Sequence, residues 1–238
     1  MIRRSFELAD ILWFAAASGD PNPVHIDPVV GARSRAGGIV AHGLHLVLWA
    51  IDALPTGDTA IASGMKVVFS KPVVAGDTVE AAIVRPGAIT LTVAGQAVAS
   101  IRFKPMTPPE RWPVVEPHAP APGGLPIMPA PSGPFDPVSG ALSIRDSGAE
   151  LAGAFPRLGE RLGPNALRGL ASIATLSGTV VGGMTTEFSA MVIADDAGPD
   201  LQYRVQSFHP ALRRFEMAFY GSGVTGKVAA IVDDVGHH

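Results

Sequence analysis

The stretch SGDPNPVHIDP, Ser18 to Pro28, sets a carboxylate and an imidazole five positions apart, at Asp20 and His25. Its glycine, prolines and asparagine already suffice for a turn. A turn gains nothing from the histidine, so the two side chains read as a proton-handling pair. Histidine titrates near neutrality and can take or give a proton. A partly buried aspartate can share that work through one water. Burial raises its pKa, and hydrogen bonds to its charged form lower it. The plainer reading of the same residues is a capped loop around a satisfied histidine. Asn22 and Pro23 have a structural task in either case, fixing the loop between acid and imidazole, with Asn22 capping backbone groups as an Asx turn. Ser18 is expected to cap similarly, and Asp27 to cap the short helix that follows.

The elements that must hold this loop are legible in outline. Leu8 to Ala17 is apolar and helix-compatible and ends near Ser18-Gly19. A short helix is expected over Val29 to Ala36. A longer one is expected from about His42 to Ala53, where Leu44, Val47, Leu48 and Ile51 share one face and Pro55 and Gly57 close the run. Strands are expected at Ala62–Ser70, Thr78–Arg85, Ile89–Val93 and Gln96–Phe103, separated by KPVVAGD and RPGA turns. Between Pro105 and Pro137 stand 12 of the 22 prolines, which excludes a helix or central strand and marks a linker that is partly extended.

After the linker the order repeats in pattern, not in residues. Gly163-Pro164 is expected to start a helix that runs through Ala166–Leu176 and that Gly178 can end. Strands follow at about Thr185–Ile193, Leu201–Ser207, Arg214–Tyr220 and Gly223–Val232, with GSGVTG at Gly221–Gly226 as a hairpin turn. A central helix followed by a strand meander thus occurs twice, an α+β arrangement in which two antiparallel sheets each wrap an apolar helix. The halves are expected to pack as an intrachain pseudo-dimer: residues 1–104, a linker at 105–137, and 138–238.

Composition narrows the classes of function. A formal charge of −3 gives no electrostatic reason for a nucleic-acid or membrane-surface partner. There is no run of eighteen apolar residues, so no membrane span is expected. Glu7 and Asp10 interrupt the apolar start, which is therefore expected to be mature protein rather than a leader. The absence of cysteine excludes disulfides and thiolate chemistry and fits a cytoplasmic enzyme. His25, Asp27, His42 and His45 offer metal-ligand types without a compact ligand spacing, so neither metal nor other cofactor is expected. Trp13, Phe14 and Trp49 are expected in the core or along a tunnel. His237 and His238 carry no weight in this reading.

SGDPNPVHIDP followed by AHGL at Ala41–Leu44 resembles the signature of the MaoC-like dehydratases and R-specific enoyl-CoA hydratases. The match runs through Ser18, Gly19, Asp20, Asn22, Pro23, His25, Asp27, Ala41, His42 and Gly43, and FSKPVVAGDTV at Phe69–Val79 is similar to a later segment of that family. The resemblance implies a double hot-dog fold and reversible hydration of trans-2-enoyl thioesters of coenzyme A or acyl carrier protein. It implies that Asp20 and His25 activate water and that the backbone N–H of Gly43 polarises the thioester carbonyl. Physical chemistry suits that assignment: a helix start offers free N–H groups and a favourable dipole, and glycine permits close approach. His42 is expected to hold the oxyanion loop by hydrogen bonds. Where the short-chain hydratases often carry a serine along the central helix, this chain has Ile51, which points to a more apolar pocket.

The second half carries no such motif, and His209-Pro210 reads as a turn. Its expected task is to form the groove for the acyl chain and to cover the sheet edge left by the first half. One active site per chain follows, in a monomer or a homodimer of such chains. Arg33, Arg35, Lys71, Arg102 and Lys104 are candidate phosphate contacts for the carrier. A hot-dog acyl-thioesterase using Asp20 alone, and a non-catalytic acyl-thioester-binding subunit, are the alternative readings.

Overall fold

Two tight hairpins show how residue choice builds the sheet. Ala94-Gly95 and Ser222-Gly223 each place both residues at positive φ, 48° and 77° in the first turn and 48° and 75° in the second. Two-residue turns of this kind match the twist of antiparallel strands, and glycine accepts the second position without strain. The flanking segments are rich in Val, Ile, Thr and aromatic residues and extend into β4 (Ala88–Val93) with β5 (Gln96–Phe103), and β10 (Arg214–Gly221) with β11 (Val224–Ile231). The two hairpins occupy equivalent places in the two halves.

The structure is a computed structural model that describes residues 1–55, 63–118, 126–128, 131, 135–193, 198 and 200–232. The remaining strands are β1 (Ile2–Ser5), β2 (Met65–Phe69), β3 (Thr78–Arg85), β6 (Pro117–His118), β7 (Val138–Ser143), β8 (Met184–Val192) and β9 (Asp200–His209). They lie in one sheet in the order β1-β3-β4-β5-β2-β8-β11-β10-β9-β7-β6. Apart from β6, the order in one half mirrors that in the other about the β2–β8 pair. Every neighbouring pair is antiparallel except β6 with β7. The fold is α+β, a double hot-dog in which the two expected sheets are fused edge to edge. The seam pairs Met65 with Ala190 and Val67 with Phe188, and Lys66 meets Glu187 across it at 3.2 Å. An otherwise open edge on each half is thereby paired within the chain.

The helices are α1 (Leu8–Ser18), α2 (Pro23–Ile26), α3 (Pro28–Arg33), α4 (Gly43–Ala53), α5 (Gly148–Ala154), α6 (Pro156–Ala171) and α7 (Ile173–Thr175), the last running into a π-helix at Leu176–Val180. Helix α4 is the central helix of the first half. Its four-residue stripe understates its burial, because every residue from Leu44 to Ile51 is buried. Helix α6 lies against α4 and is held there in part by Asp52, whose Oδ1 accepts the Leu158 N–H at 2.8 Å in the first turn of α6. Phe14 and Trp49 are buried, and Trp13 packs on the same core. Among the described residues no helix is long and apolar enough to cross a membrane.

Several expectations need correction. SGDPNPVHIDP is not all loop: Asn22 caps α2 and Asp27 caps α3, with proline at the first position of each. Strand β1, strand β7 and helix α5 were not expected, being short segments with little periodic signal. Helix α6 is broken at Gly163, φ 76° and ψ 162°, so the expected helix does start at Gly163-Pro164, but it follows a helical stretch from Pro156 that was not expected. Gly178 does not end the helical run but lies inside the π-helix. The described proline-rich stretch opens with Met106 bonded to Ser63 of the first half and then docks on the second half. Val115 exchanges two hydrogen bonds with the Gln202 amide, and Trp112 packs on Tyr220. Gly57, the start of the expected strand at Ala62, part of the proline-rich stretch, and His237 and His238 lie outside the described residues.

Candidate functional site

The end of α1 sets up the site. Gly19 adopts the left-handed conformation, φ 75°, and its N–H closes the helix on Ala15 O at 3.0 Å. Glycine takes that conformation without a Cβ penalty. The Ser18 hydroxyl donates back to Phe14 O at 2.7 Å and accepts the Asp20 N–H at 3.4 Å. The chain therefore leaves the helix with Asp20 turned inward and buried. Asp20 Oδ1 accepts the Asn22 N–H at 3.1 Å, and Asn22 Oδ1 accepts the Val24 N–H at 3.3 Å. Pro23 begins α2, and that single turn carries His25 across from Asp20.

His25 Nδ1 lies 2.7 Å from Val40 O, which as an acceptor fixes the proton on Nδ1 and leaves Nε2 toward Asp20 Oδ2 at 3.7 Å. A second imidazole joins them. His42, the N-cap residue of α4, places its Nε2 3.8 Å from the same Oδ2, and its ring stacks on His25 with centroids 3.8 Å apart. Neither ring nitrogen of His42 has a hydrogen-bond partner among the described residues. The expected role of His42 as a hydrogen-bonding prop for the oxyanion loop is thus not what the geometry provides. Its place is against the carboxylate and the other imidazole.

Burial decides the charges. It raises the Asp20 carboxyl above its ordinary value, against the opposing pull of His25 and the Asn22 N–H. Burial also pushes the His42 imidazolium well down, and the neighbouring His25 and His45 add to that. His42 is therefore a neutral ring inside the site.

Gly43 opens α4, and the first bond of that helix runs from Leu46 N to His42 O at 3.3 Å, so Gly43 lies ahead of the helical ladder. A Cβ added at Gly43 would stand 2.6 Å from two ring carbons of Phe69. Asp20, Asn22, His25, His42, Gly43 and Phe69 line one cavity of about 250 Å³. Ser18 and Pro23 support it from behind, and Ile51 is in the core, off the lining. Of the candidate phosphate contacts, Arg35 and Lys71 line the cavity, while Arg33, Arg102 and Lys104 do not. The second half supplies Ala174, Gly183, Met184, Thr185, Thr186 and Ile231, which no motif in the sequence flagged. They converge on the site only because β8 is paired to β2.

The residue types able to ligate a metal fall differently from the expected set. Asp20, His25 and His42 bring their ligand atoms within 4.8 Å of one another. Asp27 instead caps α3. His45 is turned into an aromatic cage, stacked on Phe14 at 4.7 Å and edge-on to Phe6 at 5.0 Å, with both nitrogens unpartnered among the described residues.

This cage gives a measurable pH dependence. Burial, with the Arg4 guanidinium adding to it and Asp10 opposing, holds His45 down to about 3. The unfolded chain takes up that proton near 6.5, so the stabilisation from a neutral His45 is complete above 6.5 and is lost as pH falls toward 3. Replacing it by His45→Leu is expected to flatten the fall of stability in acid by about 1.4 kcal/mol per pH unit. Urea unfolding at pH 6.0, 5.0 and 4.5 checks this, and an unchanged slope would mean that the His45 ring is already charged in the folded protein.

With the geometry in view, comparison with known proteins is direct. Residues 2–100 match the family model described as the MaoC like domain. Over 83 residues the chain is 30% identical to a 3-hydroxybutyryl-CoA dehydratase of Methylorubrum extorquens (strain AM1), covering 34% of this chain and 53% of the relative. The chain thus spans about half the length of that curated relative. A solved MaoC-like dehydratase superposes over 97% of this chain and 96% of its own, with TM-score 0.56 at 15% identity, a likeness of fold. The (R)-hydratase from A. caviae involved in PHA biosynthesis is 26% identical over 43% of this chain and 92% of its own, with TM-score 0.31. The likeness to the MaoC like domain thus lies in residues 2–100, the stretch that holds Asp20, His25, His42 and Gly43.

Proposed function

We propose that this chain is a hydro-lyase that adds water to trans-2-enoyl thioesters and removes it from 3-hydroxyacyl thioesters. The observation that carries the reading is the meeting of Asp20, His25 and Gly43 on one cavity wall. In the hydration direction a water held between Asp20 and His25 gives a proton to one of them as its oxygen bonds to C3. The C2–C3 π electrons move toward the thioester carbonyl, whose oxygen takes up charge opposite the Gly43 N–H. The resulting enolate returns its electrons to C2, which accepts a proton from the acid–base pair. Atoms balance as enoyl thioester plus water to 3-hydroxyacyl thioester, and dehydration is the reverse path.

The raised pKa of Asp20 suits this work, since a carboxyl nearer the working pH exchanges protons more readily. The Gly43 N–H belongs to the positive end of α4. The 3-hydroxybutyryl-CoA dehydratase named above supports the choice of acyl-CoA as substrate. Lys71 and Arg35 at the cavity suit a phosphate-bearing carrier, coenzyme A or the phosphopantetheine of a carrier protein. One site per chain is expected, and active-site titration with a tight inhibitor checks that number.

The test is the loss of absorbance of the conjugated thioester with crotonyl-CoA and with a longer trans-2-enoyl-CoA. Turnover of either is expected, and the preferred chain sizes the cavity. Release of free thiol without loss of the double bond would instead make the chain a thioesterase.

A further inference from the structure

The last carbonyls of a helix lack partners within it and must find them elsewhere. At the end of α1 the partners of all but one of them come from the other half of the chain. Ala15 O takes the Gly19 N–H, the one local bond. Ala16 O accepts from the Arg145 guanidinium at 2.5 Å, and Ala17 O accepts from the Ser147 hydroxyl at 2.6 Å. Ser18 O accepts from Thr175 Oγ1 at 2.9 Å and from Ser172 Oγ at 3.5 Å. Ser147, Ser172 and Thr175 are buried.

The next residues are gripped as well. Gly178, inside the π-helix, lies so near Asp20 that a Cβ there would come 2.5 Å from Asp20 Oδ1. Asn22 Nδ2 reaches Gly183 O at 3.5 Å. A π-helical turn is rare and is found mostly at functional sites, and this one runs beside the site carboxylate.

We infer that the second half is the positioning unit for the acid–base pair, with Thr175 and Gly178 as its positioning residues. It fixes the end of α1 by its carbonyls and sets the rotamer of Asp20 by backbone contact, which accounts for a motif-free half retained against the site. The inference rests on the hydratase reading for its kinetic readout only. Thr175 does not line the cavity, so its loss should move the reacting group without removing a substrate contact.

The experiment compares full-length Thr175→Val, Thr175→Ser and Gly178→Ala with the parent protein. Thr175→Val is expected to lower kcat by about 10- to 100-fold, the range for a misplaced reacting group, with KM within about twofold. Thr175→Ser keeps the donor and is expected to keep most of kcat. Gly178→Ala is expected to lose at least as much as the valine variant. Ser147→Ala frees only the Ala17 carbonyl and serves as the milder variant where the valine protein does not fold.

A second readout needs no turnover. Histidine ring 1H–15N correlations are expected to shift for His25 and His42 in Thr175→Val and Gly178→Ala, and to stay in place in Thr175→Ser. Unmoved His25 and His42 signals with parental kcat overturn the inference. A parent protein that hydrates no enoyl thioester overturns the hydratase reading, while the ring signals still decide the positioning.

Discussion

Replacing Asp20 by asparagine is expected to lower the hydration rate by about 10³-fold while making the protein more stable at pH 7.5. The rate loss follows from removing one of two groups that move protons, a contribution of about 10²–10⁴-fold. The stability gain follows from the same burial that makes the carboxyl useful. An unfolded chain releases the Asp20 proton near 3.8, and the folded protein releases it higher, because burial penalises the charge. The group's stabilising contribution is therefore present below 3.8 and is lost as pH rises through its folded value, so at pH 7.5 the ionised form is a cost to the fold. Asparagine keeps an oxygen for the Asn22 N–H and carries no charge. For a chain of this length each 1 kcal/mol recovered raises the melting midpoint by about 2–4 °C. Melting curves at pH 7.5 beside initial rates decide the matter. A variant that melts lower than the parent would place Asp20 in a stabilising ion pair instead, with His25 or His42 charged.

The two sets of residues differ in how much of them a sequence reveals. Asp20 and His25 stood out as an unusual pair in a short segment, while Gly43 was reached only through the resemblance that SGDPNPVHIDP and AHGL carry. Their supports, Ser18, Asn22 and Asp27, were legible because caps and Asx turns act within a few residues of themselves. Hairpins β4–β5 and β10–β11 were legible for the same local reason. What was not legible depends on long-range pairing. Thr175 and Ser147 look like ordinary small polar residues, and each acquires its task from a carbonyl more than a hundred residues away. Gly178 reads as a helix terminator until the carboxylate of Asp20 is found against it. His42 was expected to brace a loop, but its neighbours are set by the way α2 brings the His25 ring onto it at the start of α4, and it becomes a second ring on the same carboxylate. The β2–β8 seam underlies the tasks of Thr175, Ser147 and Gly178 together: it is the strand pairing that brings the second half to the site.

Gly43→Ala is expected to cost about 100-fold in hydration rate and about 1–3 kcal/mol in stability, and the two losses should separate. The stability loss is steric: the added methyl stands 2.6 Å from Phe69, a contact that forces the ring or the start of α4 to move, the usual penalty for overpacking. The rate loss has a second source, because the same methyl comes between a thioester oxygen and the Gly43 N–H, and losing one such donor costs about 10²–10³-fold. Phe69→Leu in the same chain opens the space beside Gly43. Since Phe69 also lines the cavity, the single Phe69→Leu protein is the reference for the pair. Gly43→Ala with Phe69→Leu is expected to melt close to that reference and to remain at least about tenfold slower than it. Recovery of both quantities would reduce Gly43 to a packing residue and move the oxyanion donor to another N–H in the first turn of α4. Recovery of stability alone keeps the donor at Gly43, because the space has been returned and only the approach to the backbone is still blocked.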